Sequence, residues 1–383
     1  MIPYGRQEVT QDDIDKVIEV LHSDFLTQGE TVSLFESELS SICGVNNSVV
    51  VNSCTSALHL ACLSLGLSKG DILWTSPITF VSSANCALYC NAIVDFIDVE
   101  PNTALMSIKA LKIKLEKAKT EGILPKILIP VHFAGQSCDM EEIFNLSKQY
   151  GFKIIEDAAH AIGASYKNYP VGSCRFSDIT VFSFHPVKII TTGEGGAALT
   201  NNYDYANKMR LLRSHGVTRN PIEMEGDFDN SWYYEQINLG FNYRMNDIQA
   251  ALGRSQLHRL KSYVKKRLEI ASLYDTYFSS ISWIEPLTQK KSRFSSYHLY
   301  VIKILLDSNP RDEIIRYLRK NGIGANVHYI PIYKQPFHRK KYHLQGAEDY
   351  YQNCISLPIY PTITRADMKN VVQELLNAYE QIV

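Results

Sequence analysis

Three short stretches hold residues whose types and spacing could do chemistry. In 182-FSFHPVKIITTGEGGA-197 a single lysine, Lys188, sits between an apolar run and a turn of threonines and glycines. Most lysines are solvated, but one held in dry surroundings has a lowered pKa and becomes a nucleophile able to form a Schiff base. In 154-IIEDAAHAIGA-164 two acids, Glu156 and Asp157, end an apolar run, and His160 follows. A carboxylate at a buried strand end is costly unless it meets a cation. In 52-NSCTSAL-58, Ser53, Thr55 and Ser56 can cap a helix whose free N–H groups and positive dipole end attract an anion. Singly, each stretch also reads as ordinary structure: a strand ending in a turn, a solvated acid at a helix start, a helix cap. Together they supply what pyridoxal 5′-phosphate (PLP) requires: an imine-forming lysine, an acid for the pyridinium nitrogen and a helix N-terminus for the phosphate.

The elements that must position these residues alternate. Short apolar β-branched runs (48-SVVV-51, 72-ILWT-75, 93-IVDFI-97, 126-KILIPV-131, 153-KIIE-156, 179-ITVFSF-184) are separated by helical patterns such as 56-SALHLACLSLGL-67 and 139-DMEEIFNLSKQYG-151. Continuously apolar strands are buried on both faces, so the fold class is α/β, with a mostly parallel central sheet flanked by helices. All three chemical stretches start at strand ends, where open α/β sheets collect ligands. From about residue 246 the texture changes to a long polar helix over 246–278, a strand at 297–305 and helices at 311–321 and 364–382. That pattern predicts a smaller α+β C-terminal domain. The expected division is an N-terminal segment 1–25 packing with the small domain, a large domain 26–250, and 251–383 with its connecting helix. Thr10 and Asp13 predict a capping box, followed by an apolar helix face of Ile14, Val17, Ile18 and Leu21.

Composition narrows the function classes. The 383 residues are 45% hydrophobic and 21% charged with a formal net charge of −1, so no basic footprint for nucleic acid is seen. No apolar run is long enough for a membrane span, and the opening MIPYGRQEVT lacks signal-peptide character, so the cytoplasm is the expected compartment. Eight cysteines without a CxxC pair, and no HExxH, predict neither a metal site nor a disulfide framework. No G-x-G-x-x-G follows the first strand, which argues against a nicotinamide-dependent enzyme.

The chain resembles the DegT-type, fold-type I sugar aminotransferases along nearly its whole length. The resemblance runs through 25-FLTQGETVSLFE-36, 52-NSCTSAL-58, 76-SPITFVSSANCALYCNA-92, 154-IIEDAAHAIGA-164, 182-FSFHPVKIITTGEGGA-197 and 239-LGFNYRMNDIQAALG-253. It implies that Lys188 forms the Schiff base and shuttles a proton, and that Asp157 keeps the pyridinium nitrogen protonated. Thr55, with the amides around Cys54 and Ser56 and the hydroxyl of Ser183, binds the phosphate. Phe80 stacks on the ring, and His160 sits against the ring or its phenolic oxygen. Asn242 reaches the phosphate of a neighbouring subunit, which implies a homodimer with shared sites. Related sugar dehydratases carry histidine in place of the lysine, so Lys188 favours transamination over dehydration. Where the family usually has glycine this chain has Cys54, which fits if φ is negative. The HPVK form and 1-MIPYGRQ-7 are most similar to the branch acting in pseudaminic acid biosynthesis. That branch implies transfer of an amino group from L-glutamate to C4 of a UDP-linked 4-keto-6-deoxy-N-acetylhexosamine. Another nucleotide-linked keto sugar, of the GDP-perosamine type or a 3-keto sugar, is the alternative substrate. The resemblance also places Tyr4, Arg6, Thr27, Gln28, Arg244, His328 and Tyr329 on the substrate side. A nucleotide diphosphate needs cations, and Arg219, Arg244 and Lys334 are available in the sequence, with nothing in it to rank them.

Overall fold

The computed structural model describes residues 1–226, 230–306, 308–338 and 342–382. Seven strands form the central sheet: β1 (Asn47–Val51), β2 (Ile72–Thr75), β3 (Ile93–Phe96), β4 (Ile127–Ile129), β5 (Lys153–Asp157), β6 (Ile179–Ser183) and β7 (Gly196–Thr200). Their spatial order is β1-β7-β6-β5-β4-β2-β3. Every neighbouring pair from β6 to β3 is parallel, whereas β7 runs against both β1 and β6. The sheet is therefore mostly parallel, as the apolar runs predict, with one reversed strand. That strand, GAALT, has small residues and little β-branching, so its sequence carries no strand signature.

Helices cover both faces. Those that bear on the site are α1 (Gln11–Leu21), α2 (Glu30–Cys43), α3 (Cys54–Ser64), α4 (Ser82–Tyr89), α5 (Ile108–Glu121), α6 (Met140–Tyr150) and α7 (Tyr203–Arg213). Leu58 and Ala61 of α3 pack with Val49, Ile155 and Val181, and Phe35 and Leu39 of α2 pack with Val50, Phe182 and Leu199 on the other face. Because β1, β5 and β6 point the same way, their carboxyl ends share one edge. Gly196 pairs with both Val51 and Ser183 at that edge. A Cβ on Gly196 would lie 2.5 Å from the Cys54 nitrogen, so only glycine lets β7 pass beneath the N-terminus of α3.

Two expectations need correction. The predicted helix over 246–278 is two helices, α8 (Asp247–His258) and α9 (Leu260–Phe278), separated at Arg259. There the Arg259 N–H turns to the Gln256 carbonyl instead of the one four residues back, and its guanidinium grips Asp13 at 2.6 Å. The second correction concerns α1. Its capping box forms through the Thr10 N–H to Asp13 Oδ2 bond of 2.9 Å. The face it buries, however, is not that of Ile14, Ile18 and Leu21, which are 43%, 43% and 53% exposed. Asp13 is the anchor, fully buried and held by Arg259 and by Gln256 Nε2 at 2.8 Å. A paired, hydrogen-bonded carboxylate cannot be turned to the outside without stranding the Arg259 guanidinium and the Gln256 amide that face it, so it sets the rotation of the helix.

The C-terminal part continues with an antiparallel sheet of β8 (Ile284–Pro286), β9 (Tyr300–Ile304) and β10 (Cys354–Leu357), in that order. It is covered by α10 (Arg311–Lys320) and α12 (Arg365–Ile382), while α11 (Gln345–Asn353) leads into β10. The N-terminal segment joins it: Ile2 bridges Ile323, and the Ile359 N–H donates to the Tyr4 carbonyl at 3.0 Å.

Candidate active site

At the carboxyl edge of the sheet lies a cavity of about 460 Å³. Its wall includes Lys188, Asp157, His160, Ser183, Cys54 and Thr55, and also Phe80, Tyr4, His328 and Tyr329. Residues from all three stretches therefore converge on one space. Asp157 ends β5 and is buried. Its Oδ2 accepts from the Ser83 hydroxyl at 2.6 Å and its Oδ1 from the Ala159 N–H at 3.1 Å. Ser83 lies on α4 and has no distinguishing mark in the sequence beyond being one of two adjacent serines.

Lys188 follows β6 in a tight turn in which its N–H donates to the His185 carbonyl at 2.9 Å. Burial pushes its pKa down to about 8, although the nearby Cys54 and Asp157 favour the charged form. Among the described residues its amine enters no ion pair. About a tenth of the amine is thus uncharged at pH 7, far more than for an ordinary lysine, as a nucleophile requires.

The helix N-terminus is arranged as the serines predict. Ser53 is the N-cap, and its hydroxyl accepts from the Ser56 N–H at 3.1 Å. The amides of Cys54 and Thr55 have no intrahelical acceptor, and both residues line the cavity. Cys54 is the first helical residue, with negative φ, which meets the condition under which it can replace glycine. Burial raises its thiol pKa well above the ordinary value, so it stays a neutral thiol.

The opposite wall is made of uncharged rings. His160 Nδ1 accepts from the Ala134 N–H at 3.3 Å, and Nε2 lies 3.1 Å from the Tyr329 hydroxyl. Burial, then Lys188 and His328, holds its pKa well below the usual imidazole value. Burial and Lys188 push His328 down to about 3, and its Nδ1 lies 2.8 Å from the Ser356 hydroxyl. Tyr4 packs on His328 with ring centroids 5.2 Å apart, and Phe80, 59% exposed, stands at the rim 6.3 Å from Tyr329.

The remaining expected site residues lie outside this cavity in the single chain. Ser56 is turned into the cap, its hydroxyl on Asn52 Oδ1 at 2.7 Å. Arg6 and Thr27 are exposed, and Gln28 lines a separate groove between α1, α2 and α8. Asn242 is exposed, and Arg244 donates to the Ser214 hydroxyl at 3.1 Å. Lys334 is ion-paired with Glu348. Several lining residues had no sequence signal as site residues, among them Thr79, Ser82 and Glu194, the last set between glycines. Among the described residues no cluster suited to a metal ion occurs and no helix is long and apolar enough to cross a membrane.

The parts fit a phosphorylated pyridine aldehyde: free helix amides for its phosphate, a carboxylate for its ring nitrogen and a weakly basic lysine for its carbonyl. With a mostly parallel sheet and a smaller C-terminal domain, this site defines the class of fold-type I, PLP-dependent enzymes.

Comparison with known proteins narrows the class. The model of the DegT/DnrJ/EryC1/StrS aminotransferase family matches residues 7–376. The UDP-4-amino-4,6-dideoxy-N-acetyl-beta-L-altrosamine transaminase of Campylobacter jejuni subsp. jejuni serotype O:23/36 (strain 81-176) is 39% identical over 386 residues, covering 100% of this chain and 98% of that protein. Helicobacter pylori PseC, an aminotransferase involved in the biosynthesis of pseudoaminic acid, superposes with a TM-score of 0.90 at 34% identity, covering 99% of both chains. The PLP-form of Spr1654 from Streptococcus pneumoniae superposes with a TM-score of 0.88 at 28% identity, covering 100% of this chain and 99% of that one. The chain belongs to the DegT/DnrJ/EryC1/StrS aminotransferase family and is a PLP-dependent sugar aminotransferase.

Proposed function

We propose that the chain moves the amino group of L-glutamate to C4 of a UDP-linked 4-keto-6-deoxy-N-acetylhexosamine, as in pseudaminic acid biosynthesis. The observation that carries the reading is Lys188, its pKa lowered to about 8, in one cavity with Asp157 and the free end of α3. Full-length similarity to the altrosamine transaminase supports the choice of sugar.

When bound, PLP supplies an electron sink for the carbon bearing the donor's amino group. Lys188 would hold its carbonyl end, and Asp157 its ring nitrogen. The Cys54 and Thr55 amides and the Ser183 hydroxyl would hold its phosphate, with Phe80 over the ring. Lys188 Nζ, part of it unprotonated near neutrality, can also take and return a proton there, a contribution of about 10²–10⁴-fold in such enzymes. Ser83 and the Ala159 amide keep the Asp157 carboxylate aimed, while the apolar flanks of Tyr329 and Phe80 limit water. Among the described residues Lys188 is the one lysine of the cavity wall, and no arginine lines it. The nucleotide's diphosphate would therefore bind beyond it, near Arg219 or Arg244.

The active unit is read as a homodimer. Asn242 is exposed outside its own cavity, and the segment before it exposes Ile222, Trp232 and Leu239. Such a concentration of exposed apolar side chains marks an interaction surface. To test the substrate, the enzyme is incubated with L-glutamate and a panel of 4-keto and 3-keto nucleotide sugars, and products are analysed by mass and NMR. The reading requires amination of the UDP-linked 4-keto sugar in preference to GDP-linked and 3-keto ones.

A further inference from the structure

His160 has two hydrogen bonds, and their polarity can be worked out. The Ala134 backbone amide can only donate, so His160 Nδ1, 3.3 Å away, must present a lone pair. The ring is neutral, because burial and the neighbouring Lys188 and His328 disfavour its charged form. A neutral imidazole with a bare Nδ1 carries its proton on Nε2. That N–H points at the Tyr329 oxygen, 3.1 Å distant, and takes it as an acceptor. Tyr329 keeps its own proton, since burial raises its pKa far above neutrality. Its O–H has no second partner among the described residues, and Tyr329 lines the cavity that holds Lys188.

The polarity is built into the backbone around His160. Ala134 is held at φ 57, the left-handed region, within the short turn Phe133–Gly135. The turn is clamped from outside: the Gly135 carbonyl accepts from the Ser296 N–H at 3.1 Å, and Ser296 Oγ donates to the His160 carbonyl at 3.0 Å. A Cβ on Gly135 would come within 2.8 Å of Ser296 Oγ and Tyr297 N, so the clamp has no slack. His298 packs against His160 at a tilt, with ring centroids 4.4 Å apart, and the Ala134 amide is the only donor to Nδ1 among the described residues. An unfavourable conformation kept by its surroundings is often found where a functional group must be aimed.

We infer that His160 is a positioning residue that receives the Ala134 amide, donates to Tyr329 and so turns the Tyr329 O–H into the cavity as a hydrogen-bond donor to a carbonyl or hydroxyl oxygen of the sugar. This rests on the sugar-aminotransferase reading for the identity of the acceptor, but not for the polarity of the chain.

The test therefore has two independent arms. In cofactor-free protein labelled with ¹⁵N in its histidine rings, the signals lost in His160→Asn should show a protonated Nε2 and a bare Nδ1, unchanged from pH 6 to 9. A protonated Nδ1, or a ring that titrates in that range, overturns the inference whatever the enzyme's substrate. In the second arm, Tyr329→Phe should reduce kcat/KM for the keto sugar roughly tenfold or more, one hydrogen bond to substrate, with the glutamate half-reaction nearly unchanged. His160→Gln, whose amide can still donate to Tyr329, should retain more sugar turnover than His160→Asn, which can accept from Ala134 but not reach Tyr329. Equal loss in both half-reactions for Tyr329→Phe would overturn the donor role. If no keto sugar is aminated by the wild type, the reading of the substrate fails while the ring signals still decide the tautomer.

Discussion

Lys188 is where the chemistry and the stability of this molecule conflict. Its folded pKa of about 8 lies below the ordinary lysine value, so between those two pH values the unfolded chain binds more protons than the folded one. Stability at this residue therefore rises as pH climbs through that window, and at neutral pH burial of the amine costs stability. Cofactor-free Lys188→Met should melt at a higher temperature than the wild type at pH 7, with the gap closing toward pH 10; a gap that does not change with pH would refute the buried-amine account. Lys188→Ala should fold and lose turnover, measured as glutamate-dependent product formation. Asp157→Ala should keep the fold, because Ser83 and the Ala159 amide can be hydrated from the cavity, yet bind PLP more weakly and turn over roughly a hundredfold less, by analogy with the loss of one preorganised electrostatic group. At this scale the sequence was most informative. Lys188, Asp157 and Ser53 could be read from strand ends and caps, while Ser83 could not, since nothing local distinguishes it from Ser82.

Elements bring these residues within reach, and here long-range partners decide what the sequence shows. The capping box of Thr10 and Asp13 could be read, but the rotation of α1 could not, because it depends on Arg259 and Gln256 far along the chain. The same Arg259 ends α8, so one unread contact accounts for both corrections to the predicted helices. Arg259→Ala leaves the Asp13 carboxylate buried without its cation and should destabilise the fold by about 2–3 kcal/mol, somewhat less than a fully buried pair because the guanidinium is partly exposed. Denaturant unfolding measures this. Gly196 is the second such case: it looks like any glycine in GEGG, yet β7 crosses beneath α3 there. Gly196→Ala must displace the Cys54 backbone, and about 1–3 kcal/mol is expected from overpacking, together with weaker PLP binding in a fluorescence titration. Unchanged PLP affinity would separate the α3 terminus from phosphate binding.

At the scale of the whole molecule, a mostly parallel sheet places three strand ends on one edge, and the C-terminal part with the N-terminal segment closes over it through Tyr4, His328 and Tyr329. The alternation of apolar runs made that architecture legible. Where Arg6, Thr27, Gln28, Asn242 and Arg244 act was not, since the single chain leaves them outside the cavity, and residues shared between subunits have no signature of which site they serve. If sites are shared, mixing Lys188→Ala with Asn242→Ala protein under subunit exchange should recover activity that neither variant has alone, because one hybrid site would have both residues intact. No recovery in exchanged mixtures would place Asn242 within its own subunit's chemistry. The most direct test of the central claim is the fate of nitrogen. With ¹⁵N-labelled L-glutamate and the UDP-linked 4-keto-6-deoxy-N-acetylhexosamine, product NMR should show ¹⁵N bonded to C4 of the sugar for the wild type and none for Lys188→Ala; ¹⁵N on C3, a dehydrated sugar without label, or labelled product from Lys188→Ala would contradict it.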